Sequence, residues 1–147
     1  MILRKFIVFE GIDGAGTSTQ IGELKKRQEA GRFLFTAEPS ENETGKFLRR
    51  MLRGDIGLEN STAAYLFAAD RNEHLYGKLR CEGNTLISGI ETACRDGKTV
   101  VSDRYLFSSL AYQSIGPQDC RAPDQPGLPQ LLNSSFPLPQ LLFYFDI

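Results

Sequence analysis

The chain has 147 residues, 41% of them hydrophobic and 24% charged, with a formal net charge of −1. These values are typical of one globular domain, and the net charge argues against bulk electrostatic binding to nucleic acid polymers or anionic lipid. No apolar run approaches the roughly 20 residues of a membrane span, and the apolar run in "MILRKFIVFE" is too short for a signal peptide. Three cysteines without C-x-x-C spacing indicate free thiols in a reducing compartment. We therefore expect a cytoplasmic protein.

Strands alternate with helices along most of the chain. In chain order, the sequence predicts a strand at 6–9, a helix at 17–29, a strand at 32–36, helices at 45–52, 61–79 and 86–97, a strand at 99–105, a helix starting at 108–113 and a strand at 141–147. The first strand, "FIVF", is β-branched and aromatic, and a glycine-rich turn follows it directly. This alternation predicts an α/β fold with a parallel β-sheet flanked by helices on both faces.

The segment 116–140 departs from this rhythm, because it contains six of the seven prolines. Proline fits neither a helix interior nor a central strand, so we predict that the segment is mostly loop. In an open parallel sheet, ligands bind beyond the carboxyl ends of the strands, which is where functional residues are expected.

The glycine-rich turn has the spacing of a phosphate-binding loop, G-x-x-x-x-G-[K]-[ST], with threonine at the lysine position. Backbone N–H groups of residues 14–18, together with the positive end of the following helix, would bind phosphate oxygens, and Ser18 stands where a hydroxyl would ligate magnesium. The alternative is a strand-to-helix turn with no ligand. The candidate ATP-binding residues are Gly11, Ile12, Asp13, Gly14, Ala15, Gly16, Thr17, Ser18 and Thr19.

Two further patterns indicate a nucleotide site. In "VVSDRY" (100–105), Asp103 ends a predicted strand, the place for a carboxylate that holds magnesium, and Arg104 offers a planar fork to a phosphate. The alternative is a surface ion pair. In the long helix, Phe67 and Arg71 are four residues apart, so an aromatic ring could stack on a base while the guanidinium donates to it. The alternative is a core Phe67 with a solvated Arg71. His74 is expected near the polar side of this helix, without a role.

Five stretches together resemble the thymidylate kinase family, in the family's order. They are "FIVFEGIDGAGTSTQ", "TAEPS", "LFAADRNEH", "VVSDRYLFSSLAYQ" and "FPLPQLLFYFDI". The resemblance implies a P-loop NTPase-type fold, a single P-loop kinase domain over 1–147, and a homodimer. It implies Mg²⁺ with ATP, dTMP as substrate, and transfer of the γ-phosphoryl of ATP to dTMP, giving dTDP for dTTP biosynthesis.

The resemblance also implies roles for individual residues. Phe67 would stack on thymine, Arg71 would contact its carbonyl, Asp13 would orient the monophosphate near its sugar and Arg104 would hold the phosphate. The implied catalytic residues are Asp13, Asp103 and Arg104, the metal-binding residues are Ser18 and Asp103, and the substrate-binding residues are Asp13, Arg49, Phe67, Arg71, Arg104, Ser108, Tyr112 and Gln113.

The sequence departs from the family pattern in four places. Thr17 replaces the loop lysine, Ala37 replaces the arginine of "TREP", the segment 116–140 is proline-rich, and the chain stops where an arginine-bearing lid, a last strand and a C-terminal helix are expected. Gly14 stands where some members carry a catalytic arginine, so the chain resembles the members whose arginine lies in the lid.

Three hypotheses follow from these departures. The chain is a thymidylate kinase whose printed sequence omits mobile segments, a non-catalytic nucleotide-binding relative, or a kinase for another nucleoside monophosphate. Thr17 favours the second, because a backbone cradle binds phosphate without the lysine. Phe67, Arg71 and the "SSLAYQ" run argue against the third, because they match a thymine pocket.

Overall fold

The computed structural model describes residues 1–29, 31–80, 85–113 and 127–146. Its elements, in chain order, are β1 (Ile2–Gly11), α1 (Thr17–Arg27), β2 (Phe33–Ala37), α2 (Glu43–Leu52), α3 (Asn60–Tyr76), β3 (Lys78–Arg80), β4 (Leu86–Ser88), α4 (Ile90–Arg95), β5 (Thr99–Asp103), α5 (Leu106–Gln113), α6 (Leu128–Asn133) and β6 (Leu138–Phe145). Cys94 is a buried free thiol, as predicted, whereas the predictions for Cys81 and Cys120 lie outside the described residues.

The main sheet has the strand order β2-β5-β1-β6, and all three pairings are parallel. In the register of the sheet, Asp103 lies beside Phe9 on one side and beside Ala37 on the other. The carboxyl ends of β1, β2 and β5 therefore meet at one edge, and the residues that follow these strands converge there.

Helices cover both faces of the sheet at β1, because β1 is apolar on both sides. Phe6 and Val8 pack in a buried cluster with residues of α3, α4 and α5. Phe9, on the opposite side, packs against Ile21 of α1 and Val101 of β5. This alternation confirms the predicted α/β fold with helices on both faces.

Two predicted helices are too long. The helix predicted at 61–79 ends at Tyr76, and the one predicted at 86–97 begins only at Ile90, because Lys78–Arg80 and Leu86–Ser88 pair antiparallel as β3 and β4. Gly89 sets the start of α4. A Cβ atom on Gly89 would lie 2.5 Å from the carbonyl oxygen of Leu75, so only glycine fits this approach to the end of α3.

The proline-rich segment is partly helical where it is described. The loop prediction is wrong for α6 (Leu128–Asn133), because Pro129 lies in the first turn, where a backbone N–H has no helical acceptor. It is also wrong at the start of β6, which includes Pro139. An edge strand tolerates the missing N–H of proline. Residues 127 and 134–137 are loop or turn, as predicted, and 116–126 lie outside the described residues.

The strand β6 forms one edge of the described sheet and is apolar along most of its length. Its side chains are nevertheless exposed on both faces: Leu141 is 50% exposed, Phe143 47% and Tyr144 65%. No helix in the described parts of the chain is both long and apolar enough to cross a membrane.

Candidate active site

A cavity of about 380 Å³ opens at the edge where the strands end. Its volume is within the range of small-molecule sites. It is lined by Asp13, Glu38, Pro39, Leu52, Phe67, Arg71, Arg104, Tyr105, Ser108, Ser109, Tyr112 and Gln113. Seven of the eight predicted substrate-binding residues are among them, and Arg49 is the exception.

Arg49 is bonded elsewhere. Its guanidinium donates to the carboxylate of Glu41 and, at 2.6 Å, to the carbonyl oxygen of Pro39. Both acceptors lie in the segment between β2 and α2. Arg49 is therefore held by these two acceptors and is not among the residues that line the cavity.

The glycine-rich loop has the backbone conformation that its glycines permit. Gly14 and Gly16 have φ angles of 82° and 90°, in the left-handed region that glycine adopts without strain. The helix α1 begins at Thr17, and no side chain of the described residues caps its first N–H groups. These donors and the helix dipole are therefore free to bind an anion. Thr17 itself is buried, 8% exposed.

Ser18 and Asp103 meet where the loop and β5 end. The Ser18 hydroxyl donates to Oδ2 of Asp103 at 2.8 Å. The other carboxylate oxygen, Oδ1, is buried and has no hydrogen-bond partner among the described residues. A buried carboxylate oxygen without a donor is unusual, and carboxylate and hydroxyl oxygens are ligands that Mg²⁺ prefers. The residues present therefore fit a magnesium ion.

Arg104 is held by its backbone and by hydrogen bonds to two side chains. Its φ angle is 71°, an uncommon conformation for a residue other than glycine, and its N–H donates to the carbonyl oxygen of Phe9 at 2.9 Å. Its guanidinium donates to Asp13 at 2.6 Å and to Ser108 Oγ at 3.3 Å. Because the Asp13 side chain is 92% exposed, this ion pair is weak and can be exchanged for a ligand.

Glu10 is a buried carboxylate that the sequence patterns do not identify. Its side chain accepts hydrogen bonds from the N–H groups of Tyr105 (2.8 Å) and Ser108 (3.3 Å) and from the Ser108 hydroxyl (2.7 Å). Burial raises the pKa of Glu10 above its ordinary value, although these hydrogen bonds and the charge of Arg104 oppose the shift. A glutamate directly after the strand predicted at 6–9 is the only signal in the sequence.

Arg71 and Glu38 form a buried ion pair in the wall of the cavity. Nε and Nη2 of Arg71 donate to Glu38 Oε2 at 2.8 and 2.5 Å, and both side chains are almost fully buried. His74 completes the group, with Nδ1 at 3.1 Å from Glu38 Oε1 and Nε2 at 2.6 Å from the Thr36 hydroxyl. The alternative of a solvated Arg71 and the expected polar position of His74 are therefore both wrong.

Burial would raise the pKa of Glu38, but the charge of Arg71 and the hydrogen bond to His74 hold it below its ordinary value. Phe67, one turn before Arg71, is half-buried and lines the cavity, so it is not a core residue. The Arg71 guanidinium also donates to Ser109 Oγ at 3.0 Å and to Asn133 Oδ1. This wall of the cavity thus contains an arginine fixed by four hydrogen bonds to three acceptor atoms.

Asn133 connects α6 to this wall and was missed because its segment was predicted to be loop. Its amide nitrogen donates to the carbonyl oxygen of Pro129 at 2.7 Å, which leaves its oxygen for Arg71. Replacing Asn133 with alanine would leave a buried guanidinium N–H unpaired. We expect a loss of about 1–3 kcal/mol in the free energy of unfolding, measured in urea.

Ser135→Ala is the matched control for this variant, because Ser135 follows α6 and is exposed. We expect it to change the free energy of unfolding by less than about 0.5 kcal/mol. Equal stability of the Asn133→Ala variant and the unmodified chain would contradict a hydrogen bond between Asn133 and Arg71.

Comparison with known proteins gives consistent matches. The family model described as "Thymidylate kinase" matches residues 9–147. The thymidylate kinase of Leptospira borgpetersenii is 40% identical over 145 residues, covering 97% of this chain and 63% of that one. The thymidylate kinase of Caldicellulosiruptor saccharolyticus is 42% identical over 114 residues, or 76% of this chain and 50% of that one.

A solved structure agrees with these sequence matches. The crystal structure of thymidylate kinase from Ehrlichia chaffeensis superposes with a TM-score of 0.69 at 28% identity, covering 97% of this chain and 72% of that one. The chain thus spans less than two thirds of the length of the curated relatives named above.

Proposed function

The chain belongs to the thymidylate kinase family, and from this membership we propose that it transfers the γ-phosphoryl group of ATP to dTMP, giving dTDP in dTTP biosynthesis. The observation that carries the proposal is one cavity lined both by Asp13 of the glycine loop and by Phe67, Arg71 and Arg104. Because the chain spans only part of the length of its relatives, the activity must be measured on this chain itself.

The base end of the cavity suits a pyrimidine. Phe67 offers a ring face for stacking. Arg71 donates once through Nε, once through Nη1 and twice through Nη2, so one N–H remains spare, at Nη1. Gln113 contributes a buried side-chain oxygen with no partner among the described residues. A thymine ring carries two carbonyl acceptors and one N–H donor, which match a guanidinium and an amide oxygen. Ser108 and Tyr112 complete the wall.

The phosphate end supplies positive charge and positioning. The substrate phosphate would replace Asp13 as the partner of Arg104, and Asp13 would then be free to bind the sugar. Backbone N–H groups of residues 14–18 would bind the phosphates of ATP. Ser18 and Asp103 are the residues that would hold Mg²⁺, which neutralises charge on the β- and γ-phosphoryl oxygens when bound. A phosphate oxygen of dTMP attacks the γ-phosphorus in line. As the new bond forms, the bond between the γ-phosphorus and the β-phosphate oxygen of ADP breaks.

The proposal is tested by the rate of dTDP formation from dTMP and Mg-ATP, measured with the unmodified chain and with the Thr17→Lys variant. We expect turnover by the unmodified chain, and a rate about 10²-fold higher in the variant, because a lysine would add one charged donor beside the phosphates. dUMP and dCMP, assayed in parallel, should be slower substrates than dTMP.

The outcomes separate the hypotheses. Turnover only in the Thr17→Lys variant would locate the defect in the loop. Absence of turnover from both proteins, with dTMP still bound, would make the chain a nucleotide-binding relative instead of an enzyme. Faster turnover of dCMP than of dTMP would overturn the assignment of the substrate.

A cytoplasmic homodimer is also part of the proposal, supported by the composition and by the family resemblance. Light scattering on the purified chain tests the oligomeric state, with a mass near 33 kDa expected for two copies of the 16.4 kDa chain (2 × 16.4). A mass of one copy at all concentrations would contradict the dimer.

A further inference from the structure

Glu10 occupies a position where the strand pattern calls for an apolar residue. It lies on β1 two residues after Val8, so both point to the same face of the sheet, and it is only 4% exposed. A carboxylate buried to this extent needs hydrogen-bond donors to offset its lost hydration. The donors that the structure provides to Glu10 all come from Tyr105 and Ser108.

Two of these donors, the N–H groups of Tyr105 and Ser108, lie at the N-terminus of α5, and the Ser108 N–H also donates to the carbonyl oxygen of Tyr105 at 3.2 Å. Tyr105 directly precedes α5, and Ser108 is the third residue of that helix. In a capping box, side chains of the helix itself bond the N–H groups at these two positions. Tyr105 has no side chain suited to this, and its hydroxyl donates to the carbonyl oxygen of Pro137 instead. Glu10 therefore caps α5 from the neighbouring strand.

The same carboxylate sets the direction of the Ser108 hydroxyl. A hydroxyl has one proton, and at 2.7 Å that of Ser108 is donated to Glu10 Oε2. Ser108 Oγ is then left with lone pairs only, and it accepts from Nη1 of Arg104 at 3.3 Å. The inner side of the guanidinium is thus held by an acceptor that Glu10 orients, while its outer partner, Asp13, is exposed.

We propose that Glu10 is a positioning residue for Arg104: by fixing Ser108 Oγ as an acceptor, it aims the Arg104 guanidinium at the phosphate of the nucleotide substrate. This inference rests on the proposed function for the identity of the ligand. Its structural part concerns the side chain of Arg104 in the free protein and does not depend on any ligand.

The Glu10→Gln variant tests the proposal, because glutamine keeps the volume and one acceptor oxygen but presents an N–H₂ donor to Ser108. The Ser108 hydroxyl must then turn, and Arg104 loses its inner acceptor. Calorimetric titration should show dTMP binding weakened about tenfold and thymidine binding changed by less than about twofold, because only dTMP carries a phosphate. Equal losses for both ligands, or no loss for dTMP, would overturn the proposal.

Two further variants separate positioning from general damage. Ser108→Ala removes the hydroxyl but keeps the backbone N–H groups that Glu10 caps, and it should weaken the binding of dTMP but not of thymidine. In the Ser108→Ala/Glu10→Gln double variant, dTMP binding should be less than about twofold weaker than in Ser108→Ala. Ser102→Ala is the matched control, because among the described residues the Ser102 hydroxyl bonds only the main-chain carbonyl oxygen of Arg104 (2.8 Å). Ser102→Ala should leave the ratio of dTMP to thymidine affinity unchanged. Additive losses of dTMP affinity in the Ser108→Ala/Glu10→Gln double variant would contradict the proposal.

A measurement on the free protein distinguishes failure of this inference from failure of the proposed function. Nitrogen-15 relaxation of the arginine side chains should show Arg104 becoming more mobile in Glu10→Gln. Arg71, held by Glu38, serves as the internal reference and should not change. If the unmodified chain binds no dTMP, the proposed function fails while this result still decides the role of Glu10. An unchanged Arg104 signal would refute the positioning role.

Discussion

Replacing Arg104 with methionine is expected to lower kcat/KM for dTMP about 10³-fold, the upper end of the loss for one preorganised charged donor. The expected loss is large because the described part of the cavity wall contains two arginines and two carboxylates, and Arg71 is already paired with Glu38. Arg104 is therefore the cation that can exchange Asp13 for a phosphate. Steady-state kinetics with varied dTMP measures the effect, and an activity within about tenfold of the unmodified chain would contradict it.

Two control variants sharpen this experiment. Arg95→Met removes an exposed arginine of α4 that pairs with Glu91, and it should leave the kinetics unchanged. Arg104→Gly removes the same side chain but relieves a φ angle of 71°. Its thermal stability should stay close to that of the unmodified chain, because relief of about 1 kcal/mol of strain offsets the flexibility of glycine. Activity lost without stability lost would identify Arg104 as a residue strained for function.

Replacing Arg71 with methionine is expected to destabilise the fold by about 3–5 kcal/mol, because it leaves the buried Glu38 carboxylate without its cation. Urea unfolding of the two proteins measures the difference. The Arg71→Met/Glu38→Gln double variant should recover part of the loss, since replacing both partners of a buried pair removes the unpaired charge. A double variant as unstable as the sum of the single ones would contradict the ion pair.

The loss of unfolding free energy in the Arg71→Met variant should also depend on pH. In the unmodified chain the pKa of Glu38 lies below its ordinary value of 4.5, so its contribution to stability is present above that pH and is lost as the pH falls through the lowered pKa. Without Arg71, burial should raise the pKa of Glu38, so the variant gains stability on acidification. We expect a smaller deficit at about pH 5 than at about pH 7. An equal loss of unfolding free energy at both pH values would contradict this prediction.

Sequence patterns are sufficient where the structure depends on neighbours in the chain. The glycine loop and "SDRY" were predicted from spacing, and the structure joins them through the bond of Ser18 to Asp103. The α/β fold followed from the alternation of strands and helices. These features are local, so a short window of sequence contains the information that determines them.

The contacts that hold the site residues in place could not be predicted from the sequence, because their partners lie far apart in the chain. Glu10 and Ser108 are 98 residues apart in the chain, and Arg71 and Asn133 are 62 apart. A buried glutamate on β1 and an asparagine on α6 carry no local signal of these partners. The helix α6 was predicted to be loop because proline was counted against it, although the first turn of a helix tolerates proline.

The exposed strand β6 has a consequence for how the chain behaves at high concentration. Residues 141–145, "LLFYF", combine apolar and aromatic side chains without a charge or a proline. Strand edges of this composition pair with strands of other molecules, and segments of this kind seed cross-β aggregates. We therefore expect the Tyr144→Lys substitution, at the most exposed residue of this strand, to slow fibril growth.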